Sequence, residues 1–135
     1  MVDTNVVLDL LLAREPFVQS AAKIFALTEQ SELESYLCAT TVTTVDYLLS
    51  QVLDKSEARA ALHRLLELFE IAPVNRPVIE EALGSRIEDF EDAVIEQSAH
   101  LVGAQAIISR DTKGFKRSIV KVLDPTELLA FLEAG

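Results

Sequence analysis

Cysteine and histidine, the usual ligands of structural zinc, are nearly absent from this sequence. Cys38 is the only cysteine among 135 residues, and the two histidines, His63 and His100, lie far apart. A disulfide framework needs paired cysteines and a zinc site needs clustered ligands, so the sequence excludes both. A single cysteine is typical of a protein in a reduced, cytoplasmic environment.

Long hydrophobic runs are also absent. The apolar run at residues 6–13 contains Asp9, is too short for a membrane span or a typical signal peptide, and follows no basic segment. The chain has no internal repeat, low-complexity tract or linker. Its 50% hydrophobic and 25% charged residues are ordinary for a globular protein. We therefore expect one cytoplasmic domain spanning residues 1–135.

Basic residues are scarce relative to acidic ones. The 22 Asp and Glu residues against 12 Lys and Arg give a net charge of −10, which argues against broad, non-specific nucleic-acid binding. Five of the basic residues nevertheless fall in one short window: Arg110, Lys113, Lys116, Arg117 and Lys121. Most charge runs only solvate a surface, but this one surrounds Asp111 and predicts a local basic patch beside it.

Helix-like and strand-like segments alternate along the chain. Amphipathic spacing and end signals predict helices at residues 6–13, 16–30, 43–53, 58–68, 76–83, 93–102 and 125–132. Short apolar segments predict strands at residues 35–39, 69–74, 104–109 and 119–123. This alternation indicates an α/β fold, in which helices cover both faces of a parallel sheet.

Isolated acids follow or begin several of these elements. Asp3 comes after the first apolar residues, Asp92 lies at the start of a helix, and Asp111 directly follows a strand. Carboxylates gathered at one sheet edge repel each other unless a cation lies among them, and their hard oxygens select Mg²⁺ or Mn²⁺. The alternative is structural, with Asp3 and Asp92 as helix caps and Asp111 as a turn former. Spacing alone does not decide between them.

The acid motifs occur in a fixed order along the chain. They are Asp3–Leu11 (DTNVVLDLL), Phe90–Ala93 (FEDA) and Ile107–Asp111 (IISRD) followed by Phe115. Together they resemble the successive motifs of the PIN-domain family, and they extend over nearly the whole chain. The resemblance implies a single-domain three-layer α/β/α sandwich with a central, mostly parallel sheet. It also implies Mg²⁺- or Mn²⁺-dependent ribonuclease activity, including that of VapC-type toxins, which pair with an antitoxin.

Site residues follow from the same resemblance. Asp3, Asp92 and Asp111 are expected to be catalytic residues and metal ligands, and Asn5 is expected to be a supporting polar contact. RNA must pass the acids to reach a bound metal, and acids repel phosphates. We therefore expect basic residues beside Asp111 to hold the RNA backbone, namely Arg110, Lys113, Lys116 and Arg117.

Two positions depart from the family pattern. The second family acid usually lies on the helix that here contains Thr44, and Thr44 is the aligned residue. Asp46 follows two residues later, which is about 160° around a helix at roughly 100° per residue. Asp46 can therefore replace the missing ligand only if the helix is rotated or shifted, and Thr44 remains a supporting residue. Gly114 likewise stands where an acid often precedes the phenylalanine of the last motif.

Two functions remain open. One is a metal-dependent ribonuclease that acts as the toxin of a toxin–antitoxin pair, with RNA as substrate and an antitoxin as partner. The other is a degenerate PIN domain that binds RNA or protein without cleaving, which the residues Thr44 and Gly114 suggest. The apolar helices at residues 17–27 and 45–53 also lead us to expect a homodimer.

The beginning of the chain is short for a strand. Only two residues precede Asp3, whereas strands usually contain five or six. We therefore expect the natural chain to begin a few residues earlier.

Overall fold

The computed structural model describes residues 1–135 and contains seven helices and four short strands. The elements in chain order are α1 (Thr4–Leu11), α2 (Val18–Glu29), β1 (Tyr36–Cys38), α3 (Ala39–Leu49), α4 (Lys55–Leu68), β2 (Glu70–Ala72), α5 (Arg76–Leu83), α6 (Phe90–Leu101), β3 (Ile107–Ile108), β4 (Val122–Leu123) and α7 (Pro125–Ala134). None of the helices is long and apolar enough to cross a membrane.

The start of the chain forms the centre of a short parallel sheet. β1 pairs with β2 and β3 pairs with β4, both in parallel. Residues 1–3 join the two pairs, because Val2 N donates to Tyr36 O at 2.9 Å and Asp3 N donates to Ile108 O at 2.9 Å. The spatial order is therefore β2, β1, residues 1–3, β3 and β4. The carboxyl ends of these strands meet at one edge.

Successive residues of the sheet face two separate hydrophobic cores. Val2, Leu37 and Ile108 lie in a core with α1, α2, α3, α4 and α7. Met1 and Cys38, their chain neighbours, lie in a second core with α5 and α6. Side chains alternate between the two faces of a strand, so each face is covered by its own helices. The fold is thus the expected α/β/α sandwich.

Helix α3 differs most from its predicted bounds. Cys38 has extended backbone and is the N-cap, so the helix begins as soon as β1 ends. It ends at Leu49 and not at residue 53, so Val52 lies beyond the helix and is 65% exposed. Helix α4 begins three residues before its predicted start, because the Asp54 side chain caps it by accepting from Glu57 N at 2.8 Å.

Candidate functional site

Asp3 ends the central strand and begins α1. Its Oδ1 accepts from Thr4 N at 2.8 Å, which makes it the N-cap, and its Oδ2 accepts from Ser109 Oγ at 2.7 Å. The side chain is therefore buried at the carboxyl edge of the sheet. The pKa of Asp3 is raised overall. Burial is the largest cause, the hydrogen bonds from Ser109 and Thr4 offset part of it, and the charges of Glu91 and Asp111 raise the pKa further.

Ser109 connects the ends of two neighbouring strands. It is fully buried, and its Oγ accepts from Asn5 Nδ2 at 3.3 Å and from Asp111 N at 3.0 Å while it donates to Asp3. Asn5 Oδ1 also accepts from Arg110 N at 3.2 Å. Asn5 thus supports Asp3 through Ser109 rather than by direct contact.

Asp92 occupies the first turn of α6 and is not its cap. Asp89 is the N-cap, and its Oδ1 accepts from Asp92 N at 3.0 Å, so α6 begins earlier than predicted and the Asp92 carboxylate is left for other contacts. Partial burial, followed by the charges of Asp3, Asp89, Asp111 and Glu91, raises the pKa of Asp92 to about 7. The acids are therefore close enough to repel one another, and a cation would relieve that repulsion.

Asp111 turns back over Gly114. Its Oδ1 accepts from Gly114 N at 3.1 Å, which is the contact of a turn former. A Cβ on Gly114 would stand 2.7 Å from Asp111 Oδ2 and 3.3 Å from Asp92 Oδ2. The two carboxylates therefore converge on the space that a side chain at position 114 would fill. The lack of a side chain at Gly114 allows this convergence.

Helix α3 brings Thr44, and not Asp46, to these acids. Thr44 Oγ1 donates to Glu91 Oε1 at 3.3 Å across the gap between α3 and α6. Asp46 lies on the other flank of α3, where its Oδ1 is 3.9 Å from Arg59 Nε. The helix is thus not rotated in the way that a ligand role for Asp46 requires, and the structure does not bring Asp46 to the acids.

An open polar cleft extends from Asp92 and Asp111. Lys113, Lys116 and Arg117 line this cleft, together with Arg86 from the loop before α6. This set forms the basic cleft. It lies directly beside the acids, where an approaching phosphodiester would meet it.

Arg110 is the predicted RNA-binding residue that the structure places outside the basic cleft. Its Nε donates to Asp9 Oδ2 at 2.6 Å and its second guanidinium nitrogen donates to Asp9 Oδ1 at 3.1 Å. The guanidinium carbon also lies 3.9 Å from the centre of the Phe17 ring. Asp9 is buried and accepts from Arg14 as well, so Arg110 connects the strand end to α1 and to the start of α2.

The donor chemistry of the site fits a hard divalent cation. Asp3, Asp92 and Asp111 present carboxylate oxygens, which hard cations prefer. The carboxylates of Asp92 and Asp111 both border the space over Gly114 that a Cβ would fill. No group of three or more Asp, Glu, His or Cys side chains already surrounds one point as metal ligands. The carboxylates would therefore have to turn toward a common ion to bind it.

A match to a family model decides the family, because the matched residues include all three acids. A model of the PIN domain matches residues 1–113. The chain belongs to the PIN-domain family. This PIN domain is 25% identical over 131 residues to ribonuclease VapC1 of Aquifex aeolicus (strain VF5), a match that covers 93% of this chain and 90% of that protein.

Solved structures share the fold of this PIN domain. FitAcB from Neisseria gonorrhoeae superposes with a TM-score of 0.69 at 24% identity, over 93% of this chain and 96% of that one. A toxin–antitoxin complex from Klebsiella pneumoniae gives a TM-score of 0.69 at 23% identity, over 92% of this chain and 95% of that one. Both cover nearly the whole sandwich described above.

The structure adds residues to the candidate site that the sequence pattern did not indicate. Ser109 has a weak signal, because a hydroxyl at the last strand position directly precedes the Arg-Asp pair. Glu91 stands beside Asp92 in an acidic run, and only the tertiary structure places it opposite Thr44. Arg86 has no signal, because it lies outside the basic window and reaches the cleft from another segment.

Proposed function

We propose that this PIN domain is a Mg²⁺- or Mn²⁺-dependent endoribonuclease. The observation that carries the proposal is the convergence of the Asp92 and Asp111 carboxylates over Gly114, with Asp3 close enough to raise the pKa of Asp92. Acids with this arrangement are stabilised by a bound cation. The similarity to ribonuclease VapC1 supports RNA as the substrate.

Each part of the site has a distinct role in this proposal. Asp3, Asp92 and Asp111 would hold the ion, and a bound ion of this kind supplies an activated water and stabilises the departing oxygen. Ser109 and Asn5 keep Asp3 in place by hydrogen bonds. The basic cleft binds the phosphates on either side of the bond that is cut. Hydrolysis adds the water oxygen to phosphorus and breaks the bond to the leaving ribose oxygen, which takes up a proton.

A second candidate function is binding of RNA or protein without cleavage. Thr44 and Gly114 favour it, because neither supplies the acid that is common at its position in the family. Metal binding separates the two candidates, since a scaffold that only binds RNA needs no ion among its acids.

Partners form the second part of the proposal. We infer a cognate antitoxin, because the solved relatives include a toxin–antitoxin complex from Klebsiella pneumoniae. We also infer a homodimer. Apolar side chains exposed on α3 and near the start of α2 support it, since Tyr47 is 67% exposed and Phe17 is 40% exposed. A cytoplasmic location agrees with the single free cysteine, Cys38.

Calorimetric titration with Mn²⁺ and an RNA cleavage assay test the enzymatic proposal together. We expect the wild type to bind Mn²⁺ and to cut single-stranded RNA only when Mn²⁺ or Mg²⁺ is present. Asp3→Asn and Asp111→Asn should each abolish both effects, because each removes a charged ligand. Cleavage that continues in EDTA, or Mn²⁺ binding that neither variant changes, would contradict the proposal. A wild type that binds RNA but no Mn²⁺ would favour the non-cleaving alternative.

A further inference from the structure

Glu91 is a further carboxylate in the first turn of α6, directly before Asp92. Its Oε1 lies 3.3 Å from Thr44 Oγ1, at the point where α3 approaches the first turn of α6. At this contact α3 itself contributes only the Thr44 hydroxyl. The gap between the two helices therefore holds a negative charge that comes from α6 and not from α3.

We propose that Glu91 supplies from α6 the fourth carboxylate of the metal site, in the place next to Thr44 where α3 carries no acid. The proposal rests on the proposed metal-dependent function. It assigns to the first turn of α6 two neighbouring site acids, Glu91 and Asp92. Thr44 becomes the residue that positions the Glu91 carboxylate by donating a hydrogen bond to it.

The position of Glu91 suits this role. It is an exposed residue with a long side chain, held by one hydrogen bond of 3.3 Å, so its carboxylate is free to turn toward an ion held by the neighbouring Asp92. Its place in the first turn of a helix also stabilises a negative charge, because the free N–H groups and the helix dipole point there. The negative charge of Glu91 contributes to the raised pKa of Asp3 and of Asp92, after burial and other causes.

The other nearby acids do not offer the same contact. Asp89 is committed to capping α6 through its bond with Asp92 N. Asp46 faces Arg59 on the far flank of α3. Because the affinity of a carboxylate site for a hard cation depends on how many charged ligands it has, moving an acid from α3 to α6 preserves that number. Glu91 is the only acid for which the structure shows a contact with Thr44.

A swap of the acid between the two helices tests the proposal by Mn²⁺ affinity. Glu91→Gln should weaken Mn²⁺ binding about tenfold to a hundredfold, the range seen when groups that orient or tune a metal site are lost. The double variant Thr44→Glu with Glu91→Gln returns the charge to the same gap from α3, so it should regain most of the affinity. Glu67→Gln is the matched control. It removes one exposed acid at the last turn of α4. This turn leads into the amino end of β2, which is the sheet edge opposite the acids.

The outcomes separate this inference from the proposed function. Both are supported if the wild type binds Mn²⁺, Asp92→Asn abolishes this binding, Glu91→Gln weakens it and the double variant restores it. If Asp92→Asn abolishes binding but Glu91→Gln matches Glu67→Gln, the role of Glu91 is overturned and the metal site stands. If Glu91→Gln weakens binding and the swap does not restore it, Glu91 does not fill the place beside Thr44 and the proposal fails. A wild type that binds no Mn²⁺ overturns both.

Discussion

Asp92 experiences the strongest electrostatic conflict in the site. Burial and the charges of neighbouring acids, Asp3 first among them, raise its pKa to about 7. An ordinary surface carboxyl titrates near pH 4, so Asp92 holds a proton over a range in which the unfolded chain has released it. Without a cation, ionising Asp92 therefore costs stability.

Stability measured in EDTA should report this conflict. The folded pKa lies above the unfolded one, so between about pH 4 and about pH 7 the folded state binds more protons, and the free energy of unfolding should fall as the pH rises through that window. Asp92→Asn cannot ionise, so its unfolding free energy should depend less on pH and should exceed that of the wild type at about pH 8. Urea unfolding at several pH values is the measurement. Asp46→Asn, which removes an acid beside Arg59, should keep the wild-type dependence.

A contrary result is easy to recognise. If the wild type and Asp92→Asn lose stability in parallel across the window, the acids do not repel one another in the folded state. A cation would then not be needed to offset repulsion among them.

Gly114 shows how a single missing side chain shapes the site. The Asp111 carboxylate oxygen lies 2.7 Å from the point where a side chain at this position would begin. An acid from Asp111 thus occupies space that a side chain at position 114 would take. Thr44 and Gly114 carry no acid themselves, and Glu91 and Asp111 place carboxylates beside these two positions.

Among the elements, α6 organises the functional edge. Its first turn carries Glu91 and Asp92, and its buried Glu96 fixes the segments that flank the basic cleft. Ser85 Oγ donates to Glu96 Oε1 at 2.6 Å, and Ile119 N donates to Oε2 at 2.9 Å. The loop that bears Arg86 and the segment that follows Arg117 are therefore held to the same helix.

The basic cleft should act on RNA without acting on the metal. Reversing two of its charges, with Lys113→Glu and Lys116→Glu together, should weaken RNA binding and flatten its salt dependence, because each neutralised phosphate adds about 0.7 to the salt slope of a single strand. Mn²⁺ affinity should remain nearly unchanged. Fluorescence anisotropy with a short RNA across a salt series measures the slope, and calorimetry measures the metal.

Lys23→Glu with Lys55→Glu is the matched control, since these exposed lysines lie on α2 and at the start of α4 and change the net charge equally. If both double variants bind RNA alike, net charge and not the cleft governs binding. If the cleft variant binds and cuts RNA like the wild type, the basic residues only solvate the surface and RNA enters from another side.

At the scale of the whole molecule, the exposed apolar residues bear on assembly. Besides Tyr47, Val52 at the end of α3 and Leu66 on α4 expose more than half of their surface, at 65% and 53%. Single exposed apolar residues are ordinary, but several on neighbouring helices are typical of a surface that a partner covers. This observation supports the inferred homodimer.

Light scattering coupled to gel filtration should give the mass of two chains at micromolar concentration. Tyr47→Glu with Val52→Glu should shift the protein toward a single chain, because each change places a charge on exposed apolar surface. The mass of one chain for the wild type would refute the homodimer. An unchanged dimer in the double variant would place the interface elsewhere.

Local patterns were enough to predict every helix and strand, the α/β class and the motifs of the PIN family. Amphipathic spacing and caps act over a few residues, so signals such as Asp54 and the Asp124 capping box can be read directly from neighbouring positions. The approach of Asp3 and Asp111 could also be expected, because parallel strands place their carboxyl ends at one edge. The position of Asp92 at the start of a helix marked it as a candidate, and the family resemblance implied its role as a ligand.

Contacts between distant segments could be found only in the folded chain. The direction in which each flank of α3 points depends on how that helix packs on the sheet and α4, and this packing turned Thr44 toward Glu91 and Asp46 toward Arg59. The same holds for Arg110, whose charge is paired with buried Asp9 from a segment about a hundred residues away, so that it lies outside the basic cleft. Packing and charge pairing across the chain have no counterpart in local spacing, which is why only the tertiary structure could choose between Thr44 and Asp46 and move Arg110 out of the basic cleft.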